Sequence, residues 1–300
     1  MSPIPRPKLP TYRLLGISLA CFFAAGLLAY HSLKTPSQVT TKTTPTQPRS
    51  EATTAPLASS AGSPTPTPTL SPAERQAKYG PCVYLPVLMF HHVNTTEAAT
   101  AGKYTSLNVT PEYLQADLRY LTSHGYTIVS VTALADFFEN GTPIAKKSVI
   151  LTFDDGYQDF VSQAAPILEA AQASATLFVP TGLIDNPPTY ATWGQLQSLP
   201  TNLFYFGNHT WSHKAAGGDV KTETYEITTA NTQLNDHGMN AAKIFAYPYG
   251  APSKVDQDVL TSLSYSLAFT TTPGAWQCKG QRYTLPRIRV GNAPLSSYGL

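Results

Sequence analysis

The chain has 300 residues, 13% of them charged, and a formal net charge of +2. That length allows one or two domains, and so small a net charge excludes the broad basic surface on which nucleic-acid binding depends. The charges are unevenly placed, and the unevenness begins at the N-terminus.

Residues 1–13 carry Arg6, Lys8 and Arg13, and residues 14–33 open with the uncharged run LLGISLACFFAAGLLAY. At about 1.5 Å per helical residue, this run is near the lower limit for crossing a hydrocarbon core of roughly 30 Å. Basic residues ahead of it predict a cytoplasmic N-terminus and an exported remainder. Residues 14–33 therefore read as a transmembrane signal anchor, which makes the membrane a partner of the chain. A cleaved signal peptide is the competing reading and would make the protein secreted; no small-x-small site follows Tyr30. Residues 34–78 are dominated by Thr, Pro and Ser, including SPTPTPTLSP. Such a segment buries too little apolar surface to offset chain entropy, and alternating Thr-Pro favours extended geometry. It reads as a disordered linker. The folded domain is then 79–300, outside the cytoplasmic membrane. Cys82 and Cys278 lie near its two ends, either paired in an oxidising compartment or left as two thiols.

Within the domain, short apolar runs alternate with amphipathic stretches. In chain order the predicted strands are 84–90, 126–131, 148–153, 175–179, 203–206, 243–247 and 266–270. A helix follows Thr110 as N-cap with Pro111 at its first position. A second, over 157–173, must bend at Pro166, and a third covers 220–238. Continuous apolar strands alternating with helices predict a mostly parallel sheet, open or closed into a barrel. Functional groups in such folds gather at the C-terminal ends of the strands.

Four such ends carry chemistry. SVILTFDDG places Asp154 and Asp155 side by side where an apolar strand ends. FGNHTWSH spaces His209 and His213 four apart, so that one helical turn would present both imidazoles to a metal. FAYPYG ends a strand in a Pro-aromatic-Gly turn. VLMFHHV ends another in His91 and His92.

LTFDDG, HTWSH and FAYPYG, in this order, closely resemble the polysaccharide deacetylases (carbohydrate esterase family four, the nodulation-deacetylase homology domain). ATLFVPTG and LPRIRV also resemble segments of that family, over roughly residues 84–290. The resemblance implies an α/β fold, a distorted, incomplete (β/α) barrel of about seven strands. It implies that Asp155, His209 and His213 ligate a divalent metal, zinc foremost, while Asp154 is the general base. The backbone N–H at Tyr249 would hold the oxyanion. A metal with three protein ligands keeps a position for water, and the neighbouring carboxylate can take that water's proton. The implied substrate is an acetylated polysaccharide, foremost one built of N-acetylglucosamine, with Tyr104, Trp193, Trp211 and Tyr249 as candidate sugar-stacking aromatics. O-acetylated glycans and a glycan-binding domain without turnover are the alternatives.

The chain also departs from the family. Many members carry an Arg in the third motif that orients the catalytic Asp, whereas here the segment offers Ala246. No late Asp-Trp motif is found, and no His follows His237. The closest subgroup, exported poly-N-acetylglucosamine deacetylases, supplies the general acid from an early strand. This slot falls on His91, with His92 as the substitute.

Overall fold

The computed structural model describes residues 70–239 and 242–300. The chain divides into two units, Met1–Pro64 and Thr65–Leu300. The proposed anchor and most of the linker lie outside the described residues. Among the described residues, no helix is long and apolar enough to cross a membrane. The folded part begins earlier than residue 79. Pro72–Tyr79 is a helix, closed at its N-terminus by a capping box in which Ser71 and Glu74 satisfy each other's backbone N–H groups.

Seven strands form the frame: β1 Val87–Phe90, β2 Ser148–Phe153, β3 Ala175–Val179, β4 Phe204–Asn208, β5 Ile244–Ala246, β6 Leu267–Pro273 and β7 Leu285–Arg289. Each pairs in parallel with the next, β7 pairs with β1, and β1 pairs with β2. The ring is therefore closed, which corrects the expectation of an incomplete barrel; its seven strands agree with that expectation. Two further corrections concern which strands these are. Residues 126–131 contribute only the two-residue strand Thr127–Ile128, which lies outside the ring beside β2. The true seventh strand is Leu285–Arg289, whose Pro and two Arg gave no apolar run.

The period of two along each strand sorts its side chains. Ile150, Phe178, Ile244, Ala246, Leu267, Phe269 and Leu285 form one apolar cluster, filling the barrel. Val149, Leu151, Phe153, Leu177, Phe204 and Phe206 belong to another, packed beneath the surrounding helices. All six residues of β2 are buried, as expected of a strand covered on both faces.

Helix Pro111–Ser123 starts on the Thr110 cap, and Val220–Asp236 starts on an Asp219 cap. The bend predicted at Pro166 is a π-helical turn over Phe160–Ala164 that leads into helix Ala165–Ala170. It spares the proline the backbone bond its ring nitrogen cannot donate. Ahead of β1, the extended segment Cys82–Tyr84 pairs antiparallel with Trp276–Cys278. There Cys82 and Cys278 form a disulfide across 196 residues of sequence.

Candidate functional site

Alternation along β2 carries Asp154 into the barrel interior with Ile150 and Thr152. It lies 2% exposed. Asp155 then takes φ +74°, a left-handed turn that L-residues rarely adopt. The turn directs its carboxylate away from the Asp154 axis. The adjacent like charges are thus separated by backbone geometry, and each acquires its own partners.

The partner of Asp154 is Arg287 on β7. Its Nη1 and Nη2 donate to the two carboxylate oxygens at 2.7 Å each, and the Arg is fully buried. Nη1 also reaches Thr152 Oγ1 at 3.2 Å, Nε donates to the Thr270 carbonyl at 2.9 Å, and the guanidinium stands 5.5 Å from the Phe178 ring centre. Burial pushes the Asp154 pKa up, but the charge and hydrogen bonds of Arg287 outweigh it and hold the pKa below the usual value. The Arg missing from the third motif is supplied from the last strand. Sequence reasoning missed it, although the LPRIRV segment alternates Leu285 and Arg287 on one face, and an Arg facing inward in a barrel strand needs an acidic partner.

The partners of Asp155 are the two histidines. His209 Nε2 lies 3.2 Å and His213 Nε2 3.0 Å from Asp155 Oδ1. One ligand atom from each of the three residues falls within 4.8 Å of the others. His209 Nδ1 is 2.7 Å from the Ala246 carbonyl, which can only accept, so Nδ1 carries the proton. In neutral His209 the Nε2 lone pair therefore faces a carboxylate oxygen. That pairing is repulsive unless a metal ion, or a proton on Nε2, stands between them. The donor set thus fits a divalent metal, with the Ala246 carbonyl orienting its imidazole ligand. Burial lowers the His209 pKa, yet the Asp155 hydrogen bond and the charges of both aspartates carry it above the usual value. Asp155 is held well below the usual carboxylate range, with burial opposing the effect and the two histidines dominating it.

His209 and His213 do not share a helical turn, which corrects the sequence reading. His209 follows β4 directly, Thr210 and His213 have φ of +64° and +58°, and a loop brings the second imidazole round. Glu226, 2% exposed on helix Val220–Asp236, fixes that loop by accepting from Ser212 N and Ser212 Oγ, each at 2.7 Å. Asn208 fixes its start: Nδ2 donates to the Ile227 carbonyl at 2.9 Å, and Oδ1 accepts from Thr210 N at 2.8 Å. Glu226 had no motif to mark it, and Asn208, though inside FGNHTWSH, was not singled out there.

The same alternation separates the two early histidines. His91 lies within electrostatic reach of Asp154 and Asp155; burial nevertheless dominates and lowers its pKa. His92 points the other way. Its Nδ1 meets Asp159 Oδ2 at 2.7 Å, and its ring is stacked between Tyr104 at 3.8 Å and Tyr157 at 3.7 Å. Tyr249, also at positive φ, is largely exposed, and its ring centre is 4.9 Å from that of His213. Trp193 is placed otherwise: its indole stacks on His237 at 4.0 Å and packs against the helix-side core.

The chain is a closed β/α barrel whose edge carries an Asp-His-His set that could hold a metal ion, beside a carboxylate clamped by an arginine. Residues 141–268 match the family described as polysaccharide deacetylase. The chain is 25% identical over 245 residues to the poly-β-1,6-N-acetyl-D-glucosamine N-deacetylase of Escherichia coli K12. That match covers 67% of this chain but only 36% of the relative. Among solved structures, it is similar to the Streptococcus pyogenes deacetylase PplD in complex with acetate (28% identity, TM-score 0.64, covering 69% of this chain and 92% of the other). It shares its fold with IcaB from Ammonifex degensii (21% identity, TM-score 0.62, 72% and 94% covered).

Proposed function

We propose that the chain removes acetyl groups by hydrolysis from a polysaccharide containing N-acetylglucosamine, outside the cytoplasmic membrane and tethered by residues 14–33. The observation that carries this reading is the division of labour at the end of β2. Asp154 is kept ionised by Arg287, which takes both of its oxygens, while Asp155 is paired with His209 and His213. The names of the Escherichia coli and Streptococcus pyogenes relatives support the same chemistry.

Asp155, His209 and His213 would hold the cation, and their N and O donors suit zinc. Bound there, it supplies a Lewis acid that polarises the acetyl carbonyl and lowers the pKa of water. Asp154 takes the proton of the attacking water as its oxygen bonds to the carbonyl carbon. The backbone N–H of Tyr249 donates to the developing oxyanion. His91 gives its proton to the nitrogen as the C–N bond breaks, leaving acetate and a free amine.

The test is acetate release from β-1,6-linked N-acetylglucosamine oligomers by the full chain. We expect a rate that chelator abolishes and that Asp154→Asn lowers by at least ~10²-fold. Release undiminished by the substitution, or none from metal-loaded protein, overturns the reading.

A further inference from the structure

A second recess opens at the same edge of the barrel, between the loops that follow β1, β2 and β3. It has a volume of about 220 Å³ and is lined by His92, Asn94, Tyr104, Gln158, Pro188 and Thr189, with Asp159 at its wall. This is below the roughly 300–1,000 Å³ of pockets that enclose a whole ligand, and it suits a single sugar unit. We propose that this recess is a binding subsite for the sugar next to the one being deacetylated, reading its hydroxyl groups.

Three observations carry the proposal. The first is rigidity. Tyr104, His92, Tyr157 and Tyr190 form a column of parallel rings at 3.8, 3.7 and 5.6 Å. The column is backed by Gly102, where a Cβ would come within 2.2 Å of the Tyr104 ring. The ring faces are occupied by one another, so the recess meets their edges, and a preformed wall costs a ligand little ordering entropy.

The second is chemistry. His92 is fixed through Nδ1 by Asp159, and its other ring nitrogen makes no hydrogen bond among the described residues. Around it stand the Asn94 and Gln158 amides and the Tyr104 and Thr189 hydroxyls. Donors and acceptors are mixed, no Lys or Arg lines the recess, and Asp159 is close. An anion would meet a carboxylate without a counter-charge. Asn94 Nδ2 already donates to the Tyr104 hydroxyl at 3.3 Å and its Oδ1 accepts from Thr95 N at 2.9 Å, so a neutral polyol finds its partners in the Gln158 amide, the Thr189 hydroxyl and the second His92 nitrogen.

The third is position. The Tyr157 ring links the recess to the candidate metal centre. One face of that ring lies on His92, and its hydroxyl hydrogen-bonds Asp155. A polymer crossing the barrel mouth with one sugar at Asp155 would place its neighbour here. The identity of the polymer rests on the deacetylase reading; the recess does not.

The experiment measures Kd for N-acetylglucosamine and its β-1,6-linked trimer on the full chain by calorimetry, with acetate release followed in the same samples. The wild type should bind the trimer at least about tenfold more tightly than the monomer, a difference of about 1.4 kcal/mol. Thr189→Trp, which fills the recess, should abolish that increment. Should that variant not fold, Gln158→Ala serves, because among the described residues its side-chain amide meets the Ser162 hydroxyl alone, at 3.3 Å; it should cut the increment by about threefold. A folded Thr189→Trp that keeps the full increment overturns the proposal, as does a wild type with none, even one that releases acetate. Trimer binding with the increment but without acetate release supports the subsite and overturns the deacetylase reading alone.

Discussion

At the C-terminal edge of the barrel, Asp155, Thr210, His213 and Tyr249 all have φ between +58° and +74°. Their loops are held by charge and hydrogen bonds: Arg287 on Asp154, Glu226 on Ser212, Asn208 on Thr210. The ribbon leading into β1 is built the opposite way. Cys82–Tyr84 and Trp276–Cys278 are extended, joined by a disulfide, and packed through Tyr84 against Trp276 at 5.5 Å. Each non-Gly residue at positive φ costs roughly 1–3 kcal/mol, and such strain persists only where the surroundings enforce it. The edge gives up stability to aim side chains, while the ribbon adds stability and aims nothing. Substitutions at the edge should therefore change chemistry and stability together, and substitutions in the ribbon stability alone.

The sharpest break in this contrast should come from Arg287→Met. It leaves a buried Asp154 without its counter-charge, a loss of about 3–5 kcal/mol, together with most of the activity. The sign of the pH effect follows from Asp154, whose pKa the Arg holds below the usual value. The stability this contributes is full above the unfolded carboxylate pKa and disappears as pH falls through the folded one. Without the Arg, the acid limb of the kcat/KM profile should move to higher pH. Urea unfolding at pH 8 and a pH–rate profile check both effects, and an unmoved acid limb would mean that Arg287 does not tune the base.

Cys82→Ser comes next. It should cost about 2–5 kcal/mol by freeing the closed loop, seen as a lower thermal midpoint that reductant no longer changes. The folded fraction should turn over within about twofold of wild type, since the two cysteines pair with each other and the ribbon's bond to β7 runs through Gln277 and the Pro286 carbonyl, which the substitution leaves in place; a tenfold loss would show the two ends to be coupled.

The smallest effect should stabilise. Asp117, 3% exposed among Leu114, Leu118 and Leu121, has its pKa pushed up to about 7 by burial. A carboxyl whose folded pKa is raised costs stability as pH climbs from about 4 toward 7, and the full cost persists above that. Asp117→Asn should therefore stabilise by on the order of 1–2 kcal/mol at pH 8 and leave stability at pH 4 unchanged. Equal shifts at both pH values would show that the charge is not the cause.

The contrast also explains what could be read before folding. β2 and β3 were legible to the residue, because strands covered on both faces are continuous apolar runs. β7 was not, because Arg287 is buried by a partner 133 residues away, and nothing near it in the chain signals that pairing. Residues 126–131 look like a barrel strand by composition, yet only Thr127–Ile128 pairs, because β1 takes the adjacent place on β2. At the site, Asp154, Asp155, His209 and His213 were legible as motifs at strand ends. The non-helical path between the histidines was not, since it depends on Glu226 and Asn208, polar residues whose partners are set only by the fold. The choice between His91 and His92 was within reach: β1 alternates, and whichever histidine shares the parity of Val87 faces the barrel.

The central claim is that two adjacent aspartates hold separate offices, one for the metal and one for the proton. Calorimetric titration of Zn2+ into the full chain, compared with Asp155→Asn and Asp154→Asn, tests it directly. One site in the wild type, lost in Asp155→Asn and retained within about tenfold in Asp154→Asn, is the predicted result. Equal loss of zinc in both variants would mean that the carboxylates share the ion, and the assignment of Asp154 as base would be wrong.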